Sequence, residues 1–157
     1  MNSVDDIAKA FKERGLTIAS AESCTGGLFS HLITNIPGAS QFFKGSLVAY
    51  TESAKVEVLG VPQETIKESG LVSAPVAREM AVRVSGIFSS QVGVAITGSA
   101  GPTAEEGSKV GDVWISVYRS GTYPTTRSFE FEGDRERIKE QAVVEAMKML
   151  LEILQRP

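Results

Sequence analysis

Three short apolar runs, "LTIAS" (16–20), "KGSLVAYT" (44–51) and "VGVAIT" (92–97), are separated by stretches that read as helices. This alternation constrains the chain more than any other feature. Strands that alternate with helices predict an α/β domain of three layers, helices covering both faces of one sheet. Two further runs, "DVWISVYR" (112–119) and "TTRSFEFEG" (125–133), are joined only by the turn around "SGTYP". A connection that short predicts an antiparallel pair, so the sheet is expected to be mixed, mostly parallel. The chain has 157 residues, of which 42% are hydrophobic and 22% charged, and this fits a single domain, 1–157, with a real core.

Between the strands the helices announce themselves by their ends. Residues 3–14 start at Ser3, a candidate cap, carry Asp5 and Asp6 in the first turn and close at Gly15. Residues 25–35 are predicted to be helical up to "NIPG", and "ESAKVEVLG" (52–60) to form a short helix with Gly60 just past its end. Pro62 opens another, to about Glu68, and residues 74–88 form a longer one with Pro75 in its first turn. The last runs from about Asp134 to Leu154, where Ile138, Ala142, Ala146, Leu150 and Leu154 recur along one side.

Several function classes are excluded or disfavoured early. The net charge of −3 lacks the basic surface of a general nucleic-acid binder. No apolar run approaches the roughly 18–20 residues of a membrane span. The start "MNSVDDIAKAF" does not read as a secretory signal, so a cytoplasmic protein is expected, with no membrane or nucleic-acid partner. A lone cysteine, Cys24, permits no intrachain disulfide. A lone histidine, His31, permits no two-histidine metal site, and no metal or cofactor is expected.

Ligands of such folds sit beyond the carboxyl ends of strands. The segments "AESCTGG", "AYTESAK" and "TGSAGP" all lie there, and they are expected to converge on one pocket. In the first, Ser23 near a helix start suits a nucleophile, with the amides of Thr25, Gly26 and Gly27 available to an oxyanion or phosphate. The simpler reading makes Ser23 or Thr25 a helix cap and Cys24 a small buried residue. A serine needs a base. His31 lies two helical turns on, or ~12 Å along the axis, too far to serve. Lys55 can serve if burial lowers its pKa, although most lysines are solvated surface charges. Tyr50 can stack on a ring or hydrogen-bond the pair, or simply pack. Thr97 and Gly98 are candidates for ribose, and Arg135, near a helix start, for phosphate, unless Asp134 and Glu136 hold it in a surface ion pair. The loop after "TGSAGP" carries Glu105, Glu106 and Lys109, so its charge is mixed.

The order and spacing of "AESCTGGL", "GSLVAYTESAK", "LGV", "LVSAPVAREMA", "AITGSAGP" and "VGDVW" resemble the CinA C-terminal domain family over nearly the full chain. That family includes stand-alone nicotinamide-nucleotide amidases. The resemblance implies hydrolysis of the carboxamide of nicotinamide mononucleotide to nicotinate mononucleotide and ammonia. It implies a metal-free serine–lysine mechanism with a supporting tyrosine. Carried onto this chain, the catalytic residues are Ser23, Lys55 and Tyr50, and a homo-oligomer is expected. Larger members carry an additional N-terminal pyrophosphatase domain, and none is expected within these 157 residues. Two positions depart from the family pattern. Glu52 stands where asparagine is usual, and "TAEEGSKVG" replaces a Gly-Gly and Lys-Pro-Val-Gly loop. A rival reading is a non-catalytic nucleotide-binding or competence-associated module, and another is an amidase on a different amide.

Overall fold

The run "VGVAIT" alternates large side chains at 92, 94 and 96 with small ones at 93 and 95. In the computed structural model, which describes residues 3–157, it becomes the middle strand of a five-stranded sheet. In chain order the elements are α1 (Ser3–Arg14), β1 (Ile18–Glu22), α2 (Leu28–Thr34), β2 (Phe43–Val48), α3 (Glu52–Glu57), α4 (Gln63–Ser69), α5 (Ala74–Phe88), β3 (Val92–Gly98), β4 (Asp112–Arg119), β5 (Thr125–Glu130) and α6 (Arg135–Gln155). A single 3-10 turn, Ala39–Gln41, precedes β2 and had no counterpart in the sequence reading. The side chain of Ser3 lies outside the described residues, and the cap expected of it with it.

The sheet order is β2-β1-β3-β4-β5. β1 pairs in parallel with β2 and β3, while β4 is antiparallel to β3 and β5. The sheet is mixed as expected. Its four pairings divide evenly, although four of the five strands point one way and β4 alone is reversed.

The alternation in β3 builds two unequal layers. Val92, Val94 and Ile96 join Ile18, Val113, Ile115 and Val117 under α1, α2 and α6. Each such side chain, fully withdrawn from water, contributes about 1.5–3 kcal/mol. On the opposite face Ala19, Ala21 and Ala95 lie under α3, α4 and α5. The small residues let α5 approach closely. A Cβ on Gly93 would stand 2.1 Å from the Ala81 carbonyl oxygen, inside any real contact, so only glycine fits beneath that helix.

Element ends differ from expectation for local reasons. β1 begins at Ile18 rather than Leu16 because Leu16 closes α1: its N–H donates to the Phe11 carbonyl, with Gly15 at φ +64°. α2 begins at Leu28 rather than Thr25 because Gly26 and Gly27 take φ of +58° and +103°, outside the helical region. β2 stops at Val48, leaving Tyr50 and Thr51 to lead into α3, whose Ala54 N–H is capped by the Thr51 hydroxyl at 3.2 Å.

The connection from β1 to β2 runs through α2 on one face. The return from β2 to β3, on the other side of β1, runs through α3, α4 and α5 on the opposite face. The connections therefore diverge at the carboxyl end of β1. Such a switch point opens a crevice, and Ser23 is the first residue beyond that strand.

Candidate active site

Ser23 extends the ladder by one step, donating its N–H to the Ile96 carbonyl of β3 at 3.0 Å. On the other side the Ala49 N–H donates to the Glu22 carbonyl at 2.9 Å. The motif is thus clamped between both neighbouring strands. Its turn is held by a residue absent from the candidates above. Glu22 is fully buried. Its carboxylate accepts from the Phe29 N–H (2.9 Å), the Ser30 N–H (3.1 Å), the Thr25 hydroxyl (2.8 Å) and the Ser30 hydroxyl (2.5 Å). The start of α2 is therefore capped by an internal anion, and neither Ser23 nor Thr25 is the cap. Phe29 lies seven positions after Glu22, so no i to i+3 capping signature exposes this role in the sequence.

Lys55 comes from α3, on the far side of β1. It is only 2% exposed, and its Nζ donates to Ser23 Oγ at 2.9 Å. Burial lowers the Lys55 pKa below its ordinary value. The charge of Glu105 opposes this most, followed by Cys24 and then Glu52. Glu52 is exposed, and among the described residues no ion pair joins it to Lys55.

A pocket of about 190 Å³ opens over Ser23, with Cys24, Tyr50, Glu105 and Arg135 in its wall together with the Gly98–Gly101 segment, while Lys55 lies behind Ser23 and outside the lining. Tyr50 is half-exposed, and its hydroxyl accepts from the Arg135 guanidinium, which also donates to the Gly101 carbonyl. Asp134, capping α6 through the Arg137 N–H at 2.9 Å, sets Arg135 at the first helical position. Among the described residues Arg135 makes no ion pair, so the surface-pair alternative with Asp134 or Glu136 does not hold. Glu105 also belongs to the wall of a larger cleft of about 820 Å³, shared with Glu52, Glu64 and Glu106.

Other expected residues stand elsewhere. The Thr25 hydroxyl is committed to Glu22. The Thr97 hydroxyl donates to the Leu71 carbonyl at 3.1 Å and is buried. Neither lines the pocket, whereas Gly98 does. Gly26 and Gly27 serve the turn, and the Gly26 N–H is already donated to the Ser23 carbonyl at 3.0 Å. His31 faces solvent. Cys24 lies in the wall, but burial pushes its thiol up to about 11, so little thiolate exists at neutral pH.

Residues 2–154 match the CinA C-terminal domain. The chain belongs to that family. A CinA-like protein from Thermosipho melanesiensis is 43% identical over 145 residues, covering 91% of this chain and 36% of its own length. A relative from Bacillus velezensis, described as competence-damage inducible, is 42% identical over 151 residues, covering 96% of this chain and 36% of its own. The chain thus spans about a third of the length of these curated relatives. Crystal structures agree over the full fold. A CinA superfamily protein from Klebsiella pneumoniae superposes with TM-score 0.93 at 32% identity, covering 98% of both chains. A competence or damage-inducible protein from Enterobacter asburiae gives 0.94 at 31%, covering 98% of this chain and 96% of its own. Among the described residues no helix is long and apolar enough to cross a membrane.

Proposed function

We propose that this CinA-family domain is an amidase that converts nicotinamide mononucleotide to nicotinate mononucleotide and ammonia, in the cytoplasm, through a Ser23–Lys55 pair. The observation that carries the reading is the 2.9 Å hydrogen bond between Lys55 Nζ and Ser23 Oγ, both buried. A lysine serving only as a surface charge has no reason to be desolvated against a hydroxyl.

In the proposed reaction, neutral Lys55 accepts the Ser23 proton as Oγ attacks the carboxamide carbon. The bond is then the same pair with its direction reversed. The tetrahedral oxyanion is assigned to the amides of Thr25 and Gly27, which have no acceptor among the described residues. Lys55 ammonium returns the proton to the leaving nitrogen and ammonia departs. Water next attacks the acyl-serine carbon, giving its proton to Lys55; the C–Oγ bond then breaks, Lys55 returns that proton to Ser23 Oγ, and the acid leaves. Arg135, with no carboxylate partner among the described residues and held by Tyr50, is assigned to the phosphate. Tyr50 is then a positioning residue with one face open to a ring.

Ammonia release from nicotinamide mononucleotide by the purified protein tests the reading. Binding without release would favour the rival, a non-catalytic nucleotide-binding module tied to competence, as the names of the relatives suggest. Release from another amide alone would keep the chemistry and change the substrate.

A further inference from the structure

Among the described residues lining the Ser23 pocket, Glu105 is the one carboxylate. No hydrogen bond or ion pair within the described residues engages that carboxylate. Its backbone, by contrast, is firmly held. The Glu105 N–H donates to Ser99 Oγ at 3.1 Å, and the Glu105 carbonyl accepts from the Ser108 hydroxyl at 2.8 Å and the Ser108 N–H at 3.0 Å. The Ser99 and Ser108 hydroxyls bond each other at 2.8 Å, which locks the loop to the end of β3. An anchored carboxylate with no hydrogen-bond or ion-pair partner among the described residues, in the same wall as Ser23, is placed to act on whatever enters the pocket.

The charges in that wall are divided. Arg135 supplies a cation that suits phosphate, and Glu105 supplies an anion that suits the opposite charge. An N-alkylated pyridine carboxamide carries a fixed positive charge on its ring, and hydrolysis adds a carboxylate to it. We propose that Glu105 is the charge-selecting residue of the site, its carboxylate receiving the cationic ring of the substrate and disfavouring the acid product. This rests on the amidase reading and narrows it to amides borne on a cationic ring. Glu105 is exposed, so solvent screens the interaction, and selection of about tenfold is expected rather than the far larger effect of a buried pair.

The test compares nicotinamide mononucleotide with the isosteric benzamide ribonucleotide, whose ring carbon replaces the charged nitrogen. The ratio of their specificity constants is measured for wild type, Glu105→Gln and Glu106→Gln. Wild type should favour the cation by about tenfold at low salt. Each enzyme is compared on the plateau of its own pH profile, so that any change at Lys55 acts on both substrates and cancels from the ratio, and there Glu105→Gln should bring the ratio near one. Glu106→Gln, which lines only the larger cleft, should keep the wild-type ratio. A Glu105→Gln enzyme that loses both substrates equally, or keeps the wild-type ratio, overturns the assignment. If wild type releases ammonia from neither compound, the amidase reading falls. The same ratio read as dissociation constants by calorimetry then decides Glu105 separately, and binding of neither overturns both.

Discussion

Lys55 can act as a base only where it is neutral, and a lysine at its reference pKa of ~10.4 is almost wholly charged at pH 7. Burial works in its favour, while Glu105, Cys24 and Glu52 work against it in that order. The sign follows directly. Removing a carboxylate that holds the pKa up lets it fall, so more Lys55 is neutral at a given pH. Glu105→Gln should therefore move the acidic limb of the rate profile to lower pH, and Glu52→Asn should move it less. Equal shifts from both, or a larger one from Glu52→Asn, would contradict this ordering. Lys55→Met should abolish turnover at every pH. Ser23→Ala should lose turnover by several orders of magnitude yet retain the nucleotide in a calorimetric titration, because the pocket walls stay in place. Cys24→Ser should stay active, since the thiol is held protonated. An inactive but folded Cys24→Ser would transfer the nucleophile to Cys24.

The turn from β1 into α2 depends on one buried carboxylate. Without Glu22, the amides of Phe29 and Ser30 and the hydroxyls of Thr25 and Ser30 lose an acceptor in a dry environment. Leaving buried donors unmatched costs about 1–3 kcal/mol for each group that water cannot reach. Glu22→Ala should accordingly lower stability by on the order of 3 kcal/mol, or about 6–12 °C in Tm for a domain of this size. A thermal melt within 2 °C or so of wild type would show that the cap is dispensable. The same loss should disorder the Ser23 loop before it melts the sheet, because the sheet's own ladder does not involve the Glu22 side chain.

Across the fold, the carboxyl ends of β1, β2 and β3 and the first turn of α6 bring Ser23, Lys55, Gly98 and Arg135 together from segments far apart in the chain. If Arg135 holds the phosphate, remote binding is turned into rate at the amide. The specificity constant should fall by more than tenfold from the mononucleotide to the riboside, and again to free nicotinamide. Near-equal constants for the three would remove the anion clamp. Arg135→Ala should erase the preference for the mononucleotide over the riboside without changing hydrolysis of the riboside itself.

The sequence by itself determined the layers, because patterns of apolar and small residues are local. The split of "VGVAIT" into a large and a small face, and the four-residue recurrence in α6, follow from side-chain period alone. Position beyond the strand ends put the segments holding Ser23, Tyr50, Lys55 and Gly98 in one expected pocket, the family resemblance singled out Ser23, Tyr50 and Lys55 among them, and the fold brings these together with Arg135. What only the tertiary structure decided depends on which side chain meets which. Thr25 and Thr97 read as ligand contacts, yet each hydroxyl has a nearer partner, Glu22 and Leu71, supplied by another part of the fold. Glu52 is one helical turn from Lys55 in the chain, but the loop between β3 and β4 brings Glu105 to act more strongly on it. Sequence separation sets neighbours along a helix or strand. Desolvation, and the charge that competes with it, are set by the packing of segments that the sequence keeps apart.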